Sequence, residues 1–239
     1  MLSVVVPAFN ERSRLPATLD AVRAHLGAGG PGAEEHEVVV VDDGSTDGTA
    51  DLAVQVARGW RQLRVLRLPE NRGKGWAVRA GMLAACGDLR LMTDADLSTP
   101  ITELPKLRSQ IGPETQVVIG SRALPDSHIE VHQPHHRELM GRGYNRILQL
   151  LVLPGLRDTQ CGFKLFTAEA AVRCFTPLRT PRFGFDAEVL LRARRLGYRV
   201  AEVGVVWNHA EASRVSPLRD SAGVFLDLVK LRLRRERPE

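Results

Sequence analysis

From Leu2 to Asp96 the chain alternates short apolar runs with segments whose apolar residues recur every three or four positions. LSVVVPAF (Leu2–Phe9) is rich in β-branched residues and reads as a short strand ending in Pro7. In ERSRLPATLDAVRAHL, Leu15, Leu19, Val22 and Leu26 share one helical face. GAGGPGAEE is a loop, and HEVVVVDDGS is the continuous apolar run of a strand buried on both faces. TDGTADLAVQVARGW predicts a helix opened by Ser45 or Thr46, LRVLRL a strand, and GKGWAVRAGMLAAC a helix after a glycine-rich turn. DLRLMTDAD closes the series. Alternation at this spacing predicts an α/β layer around a mainly parallel central sheet flanked by helices.

The later chain is less regular. QVVIGSR reads as a strand, PDSHIEVHQPHH as a polar, histidine-rich loop, and Glu138 to Leu153 as an apolar helix stopped by Pro154-Gly155. A helix through Ala168–Val172 follows DTQCGFKLF, and VAEVGVVW reads as one strand. Ser216-Pro217 then opens a last helix, with a capping residue followed by proline at the first helical position. The simplest division is a catalytic domain over residues 1–215 and an amphipathic, basic helix over 216–239.

In open α/β sheets ligands bind beyond the carboxyl ends of the strands. Four polar sets fall there: Pro7-Ala8-Phe9-Asn10-Glu11, Asp42-Asp43-Gly44-Ser45, Asn71-Arg72-Gly73-Lys74-Gly75 and Asp94-Ala95-Asp96. Asp94 and Asp96 pose the sharpest question, because like charges one residue apart repel and are costly to desolvate. Either both point into water, or a hard divalent cation such as Mg2+ or Mn2+ lies between them with phosphate completing its shell. Asp42 or Asp43 can accept from a base N–H or a ribose hydroxyl, or can organise the local turn and helix start. Asn10 and Glu11 can likewise be a cap. The glycines around Lys74 allow close backbone approach, and Lys74 can meet a phosphate or lie in a solvated turn.

Composition narrows the partners. The formal charge is +5, which suits nucleic acid, an anionic membrane or a phosphorylated substrate. Aromatics make up only 5% and no nucleic-acid motif is present, so nucleic acid is not an expected partner. Cys86, Cys161 and Cys174 match no metal spacing and read as free thiols of a reducing cytosol. MLSVVVPAFN has no charged leader or small-residue cleavage site, so no signal peptide is expected, and no apolar run is long enough to span a bilayer. His128, His132, His135 and His136 sit on a proline-broken loop whose spacing suits a lid over a cleft better than a closed zinc site.

The segments VVVPAFNE, VVVVDDGSTDGT, NRGKGWAVRAG, DADLSTP, GSR, DTQCGFKLF, GFDAEVL and VVW, in this order, resemble glycosyltransferase family 2 over nearly the whole chain. The likeness is to its dolichyl-phosphate glucose and mannose synthases and bacterial polyprenyl-phosphate relatives. It implies a GT-A fold and a metal-dependent, inverting transfer of a hexose from a UDP-glucose or GDP-mannose type donor to a polyprenyl phosphate. It implies nucleotide binding by Pro7, Ala8, Asn10, Glu11, Asp42, Asp43, Lys74 and Asp94, with Asp94 and Asp96 holding Mg2+ or Mn2+. The cation offsets the paired carboxylates and the charge of the leaving diphosphate. Mannose-type relatives carry Gln where this chain has Ser98, a poorer ligand, which points to the glucose branch. An anionic phosphate acceptor needs orienting cations more than a strong base. Arg122 is the first candidate, with Arg137, Arg214, Gln160 and Lys164 nearby. Asp186 stands where relatives with hydroxyl acceptors place a base, and here it orients the acceptor or holds an arginine. Glu188 reads as structural. The alternatives are a family 2 enzyme with a soluble saccharide or protein acceptor, and a non-catalytic nucleotide-binding module. Oligomeric state is left open.

A lipid acceptor implies a cytoplasmic protein that docks peripherally on the inner face of a membrane. Leu218, Ala222, Phe225, Leu226, Val229 and Leu233 share a helical face beside Lys230, Arg232, Arg234, Arg235 and Arg237. Met140, Tyr144, Ile147, Leu148 and Leu151 add a second apolar face. Such faces dock at anionic interfaces, or pack against the catalytic domain or a second subunit. With each basic residue near the surface contributing about 1 kcal/mol, the full chain is expected to bind anionic vesicles in a salt-sensitive way. Removing the residues after Pro217 should weaken that binding and spare nucleotide binding. Sedimentation that ignores anionic vesicles at low salt contradicts the docking role.

Overall fold

The computed structural model describes residues 1–131, 152–181 and 184–208. His132, His135, His136, Arg137, Arg214, the expected helix up to residue 151 and the expected helix over 216–239 lie outside the described residues. The elements run β1 (Leu2–Ala8), α1 (Leu15–Leu26), β2 (His36–Asp42), α2 (Thr49–Arg58), β3 (Leu63–Arg67), α3 (Lys74–Ala84) and β4 (Leu89–Met92). A 3-10 turn (Ile101–Glu103), α4 (Leu104–Arg108), β5 (Thr115–Ser121) and β6 (His128–Val131) follow. β7 (Lys164–Thr167), α5 (Ala168–Phe175), α6 (Phe185–Arg195), β8 (Arg199–Gly204) and β9 (Val206–Asn208) complete the order.

Seven strands form one sheet in the order β3-β2-β1-β4-β7-β5-β8. All its pairings are parallel except those of β7, which runs antiparallel between β4 and β5. The α/β expectation therefore holds, with one reversed strand that the sequence reading passed over. Side chains alternate across the sheet. Val5, Val39, Val41 and Met92 pack under α3, α5 and α6, with Phe166, Phe175 and Phe185. Val4, Val6, Val38 and Val40 pack on the other face against Leu15, Leu19, Val22 and Leu104. Two-sided burial explains the unbroken valine runs.

Pro7 sits in a central strand without breaking it. Val5 turns its carbonyl toward β4, accepting from Thr93 N at 3.0 Å. Two residues on, the donor that Pro7 lacks points to the same side, where β4 has already ended at Met92.

Three local expectations are corrected. The helix α2 starts at Thr49, behind Gly48 in a left-handed conformation, and not at Ser45 or Thr46. The histidine-rich stretch is not all loop, because His128–Val131 forms β6, parallel to β9. VAEVGVVW is two strands in two sheets, split at Val205, whose N–H bonds Ser121 O at 3.1 Å. At that break a Cβ on Gly204 would come within 2.4 Å of the Asp126 carboxylate, so glycine lets the chain change sheets.

Candidate active site

The first two turns are latched together. Asn10 adopts φ 55°, donates its N–H to Ser45 Oγ at 2.9 Å and accepts from Thr46 N at 2.8 Å. Glu11 N donates to Thr49 Oγ1 at 2.9 Å. Ser45 and Thr46 are thus spent on the neighbouring turn, and Asp47 caps Thr49 N instead at 2.9 Å. Pro7 and Ala8 lead into this latch, with Ala8 O accepting from Asp43 N at 2.8 Å.

The two aspartates after β2 differ. Asp43 accepts from Arg72 N at 2.9 Å and Gly73 N at 2.8 Å, so it holds the glycine turn that opens α3. Burial, reinforced by the charge of Asp42, pushes the Asp43 carboxyl up against the pull of those two N–H groups. Asp42 Oδ2 accepts from Ser45 N at 3.1 Å, while its buried Oδ1 has no hydrogen-bond partner among the described residues. A buried acceptor without a donor is expensive in a folded chain, and here it stands at the end of β2. A ligand N–H or hydroxyl is the kind of group it lacks.

Lys74 begins α3 directly after Gly73, whose φ of 97° disfavours any side chain there. Gly75 admits the loop before α6. Its N–H bonds Pro181 O at 2.9 Å, and a Cβ would meet Thr180 O at 2.5 Å. That glycine therefore serves packing and not phosphate approach. The Lys74 ammonium contacts Asp94 Oδ1 at 2.5 Å. Arg14 reaches Asp96 at 3.9 Å while bonded to both oxygens of Glu11, at 2.6 and 2.5 Å. Burial alone would raise the Asp94 carboxyl, but Lys74, then Lys164 and Arg122, hold it below the ordinary value. Burial would lower Lys74, and Asp94 and Asp186 more than reverse it.

The loop itself is tense. Leu97 has φ 49°, a conformation costing about 1–3 kcal/mol for such a residue. It turns the chain so that Ser98 N bonds Asp96 Oδ1 at 3.0 Å. Asn208 N holds Ser98 O at 2.7 Å, which ties β9 to the carboxylate loop.

The reversed strand completes the edge. Because β7 is antiparallel, it begins where its neighbours end, and Lys164 pairs in register with Met92. Lys164 is 1% exposed and ion-paired with Asp186, and it donates to Cys161 O at 2.5 Å. A Cβ on Gly162 would fall 2.0 Å from Asp94 Oδ2, so a side chain there would push the carboxylate out of this position. Arg122, after β5, is clamped by Asp158: Nε to Oδ2 at 2.6 Å, Nη2 to Oδ1 at 2.8 Å, and its backbone N to Oδ2 at 3.0 Å. Its guanidinium lies 5.4 Å from the Trp207 ring centroid. Gln160 N joins Asp158 Oδ1 at 3.3 Å. Glu188, by contrast, bonds Arg179 N, Thr180 N and Arg192 Nε at 3.1, 2.9 and 2.9 Å, a set that fixes the loop before α6.

Pro7, Ala8, Asn10, Glu11, Asp42, Asp43, Lys74, Asp94, Asp96, Arg122, Gln160, Lys164 and Asp186 therefore lie along one edge of the sheet and the turns that leave it. The sequence reading missed Arg14, Asp158 and Trp207. Asp158 and Trp207 lay within quoted motifs, and Arg14 stands three residues after Glu11, the spacing of a helical ion pair.

The donor set suits a hard divalent cation. Asp94 and Asp96 have side chains 30% and 24% exposed, and no group of three or more metal-ligating side chains occurs among the described residues. Two carboxylates plus water and phosphate oxygens match the way Mg2+ and its hard relatives are held.

The Arg122–Asp158 pair gives a pH signature. Burial alone would raise the Asp158 carboxyl, but Arg122 brings it down to about 2. A carboxyl depressed in the folded state stabilises it fully above about pH 4, and that stability is lost as pH falls toward 2. The pair is expected to contribute about 2 kcal/mol through this linkage. Urea unfolding of the native protein should therefore weaken between pH 4 and 2 more steeply than that of Asp158→Asn. Equal pH slopes would contradict the pair's charge state.

Comparison with known proteins agrees with this geometry. Residues 3–175 match the model of the family described as glycosyl transferase family 2. The chain is 41% identical over 227 residues to a dolichyl-phosphate beta-glucosyltransferase of Drosophila melanogaster, covering 90% of this chain and 69% of that protein. The human protein of the same name is 37% identical, covering 98% of this chain and 75% of its own length. Among solved structures, glucosyl-3-phosphoglycerate synthase from Mycobacterium tuberculosis, in complex with Mn2+, UDP-glucose and phosphoglyceric acid, superposes with a TM-score of 0.70. That match has 22% identity and covers 96% of this chain and 80% of the other. A mannosyltransferase from Pyrobaculum calidifontis, in complex with GDP-Man and Mn2+, matches with a TM-score of 0.61 and 21% identity, covering 89% and 57%. The fold is the GT-A fold of these enzymes, and the chain belongs to glycosyltransferase family 2.

Proposed function

We propose that this protein transfers glucose from a nucleoside-diphosphate glucose, UDP-glucose first, to a dolichyl or other polyprenyl phosphate at a membrane surface. The observation that carries the reading is the convergence of Asp94, Asp96 and Lys74 with the orphaned acceptor of Asp42 on one sheet edge. The names of its relatives support the sugar and the acceptor. Asp42 would meet the base, and Lys74 the diphosphate. Asp94 and Asp96 would hold Mg2+ or Mn2+, which when bound supplies positive charge to the departing diphosphate.

In the reaction an acceptor phosphate oxygen attacks the anomeric carbon as the bond to the nucleoside diphosphate breaks, with inversion. The acceptor is already an anion, so no proton need be removed. That fits Asp186, whose carboxylate is committed to buried Lys164 and is poorly placed to serve as a base for a sugar hydroxyl. The same feature disfavours the soluble-saccharide alternative. Arg122, held rigid by Asp158 over Trp207, is the described residue that would orient the acceptor phosphate. No helix among the described residues is long and apolar enough to cross a membrane.

Assay of UDP- and GDP-sugars with a short-chain polyprenyl phosphate and Mn2+ or Mg2+ tests the proposal. UDP-glucose should give a β-linked glucosyl lipid phosphate, chelation should abolish it, and Asp96→Asn should lower kcat on the order of 10²–10³-fold. Arg122→Lys keeps the charge beside Asp158 but loses the two-pronged geometry. It should lower kcat/KM for the lipid phosphate and leave UDP affinity nearly unchanged. Full activity in excess chelator, or transfer to a sugar hydroxyl and not to the lipid phosphate, would overturn the reading.

A further inference from the structure

Arg122 is taken up by Asp158, and the three remaining described cations beside the carboxylate pair are attached unequally. Arg14 is fastened to Glu11 by two bonds at 2.6 and 2.5 Å and only approaches Asp96, at 3.9 Å. Lys164 is enclosed, 1% exposed, between Asp186 and the Cys161 carbonyl. Lys74 differs from both. Its ammonium contacts Asp94 at 2.5 Å, on a side chain 26% exposed at the very start of α3. A primary ammonium on a flexible four-carbon stem changes partners readily, whereas a guanidinium held by both prongs does not.

We propose that Lys74 guards Asp94. It occupies the carboxylate until a diphosphate arrives to take the ammonium, so that divalent metal and nucleotide enter the site as one unit. This rests on the nucleotide-diphosphate reading above. A divalent cation arriving alone meets a carboxylate already neutralised, and displacing Lys74 leaves an ammonium facing a double positive charge. A diphosphate removes both obstacles, since it gives Lys74 an anionic partner and supplies the metal's remaining oxygens. The coupling is a linkage between two ligands, so each must tighten the other by the same factor.

Calorimetric titration of the full chain with Mn2+ alone, UDP alone, and each in the presence of the other tests this. In the native protein UDP should tighten Mn2+ by about tenfold or more, and Mn2+ should tighten UDP equally, within the usual 5–150-fold range of coupling. Lys74→Met should bind Mn2+ alone at least about fivefold tighter than the native protein and lose most of the coupling. Lys74→Arg, which keeps a cation there, should restore weak binding of the lone metal. Arg72→Met makes the same charge change on a side chain stacked 4.6 Å from the Trp76 centroid and should leave Mn2+ affinity within about twofold. Each variant is first shown to unfold at a temperature close to the native one. Mn2+ binding to Lys74→Met that is unchanged or weaker would overturn the proposal. So would an equal gain in Arg72→Met, which would mark a diffuse field and not a guarded carboxylate. A gain confined to Lys74→Met, with UDP without effect in every variant, would support the guard and overturn instead the nucleotide-diphosphate reading.

Discussion

The neutralisation of Asp94 and Asp96 by the protein's own cations is the constraint on which the rest of the site depends. Two carboxylates one residue apart, at the end of a strand buried on both faces, would otherwise be driven toward protonation or outward into water. Lys74 at 2.5 Å keeps Asp94 ionised, and Arg14 lies 3.9 Å from Asp96. Both cations come from other turns of the same edge, and each turn is itself held: Gly73 by Asp43, and Arg14 by Glu11. A defect in any one turn is therefore felt at the carboxylates. The strained turn at Leu97 belongs to this system, since the bond from Ser98 N to Asp96 is what its geometry secures.

The reversed strand is the second determinant. A fully parallel sheet would place only strand ends at this edge. Running β7 backwards brings a strand beginning there, and with it Gly162, which presses on Asp94, and Lys164, which engages Asp186. The same loop carries Asp158 to Arg122, and Glu202 of β8 secures it by accepting from Asp158 N at 2.7 Å. Asp94 and Arg122 are in this way linked through one short segment. β9 adds a further tie, joining Ser98 to the strand that bears Trp207.

Much of this was legible in the sequence, and the rest was hidden for physical reasons. β1 and β2 were readable because two-sided burial writes itself as valine runs, and α1 because its apolar face repeats at helical spacing. The four polar turns could be placed on one edge from topology alone. β7 was hidden because it is only four residues long and opens with a lysine, whose burial makes sense only once Asp186 is seen beside it. Ser45 and Thr46 carry the chemistry of helix caps, and nothing local shows that they are spent on Asn10, 35 and 36 residues away. Arg122 stood out as a candidate cation, but its clamp, Asp158, lies 36 residues further along. Long-range pairing decides what a charged residue does, and a linear pattern does not display it.

The central claim is that the edge exchanges partners: Lys74 neutralises Asp94 in the free protein and passes to the diphosphate when the metal arrives. A crystal structure of the full chain with UDP and Mn2+ tests it most directly. The account predicts Lys74 Nζ within hydrogen-bonding distance of a diphosphate oxygen, Asp94 and Asp96 facing the metal, and Arg14 still bound to Glu11. A complex in which Lys74 remains on Asp94 while nucleotide and metal are both bound would contradict it.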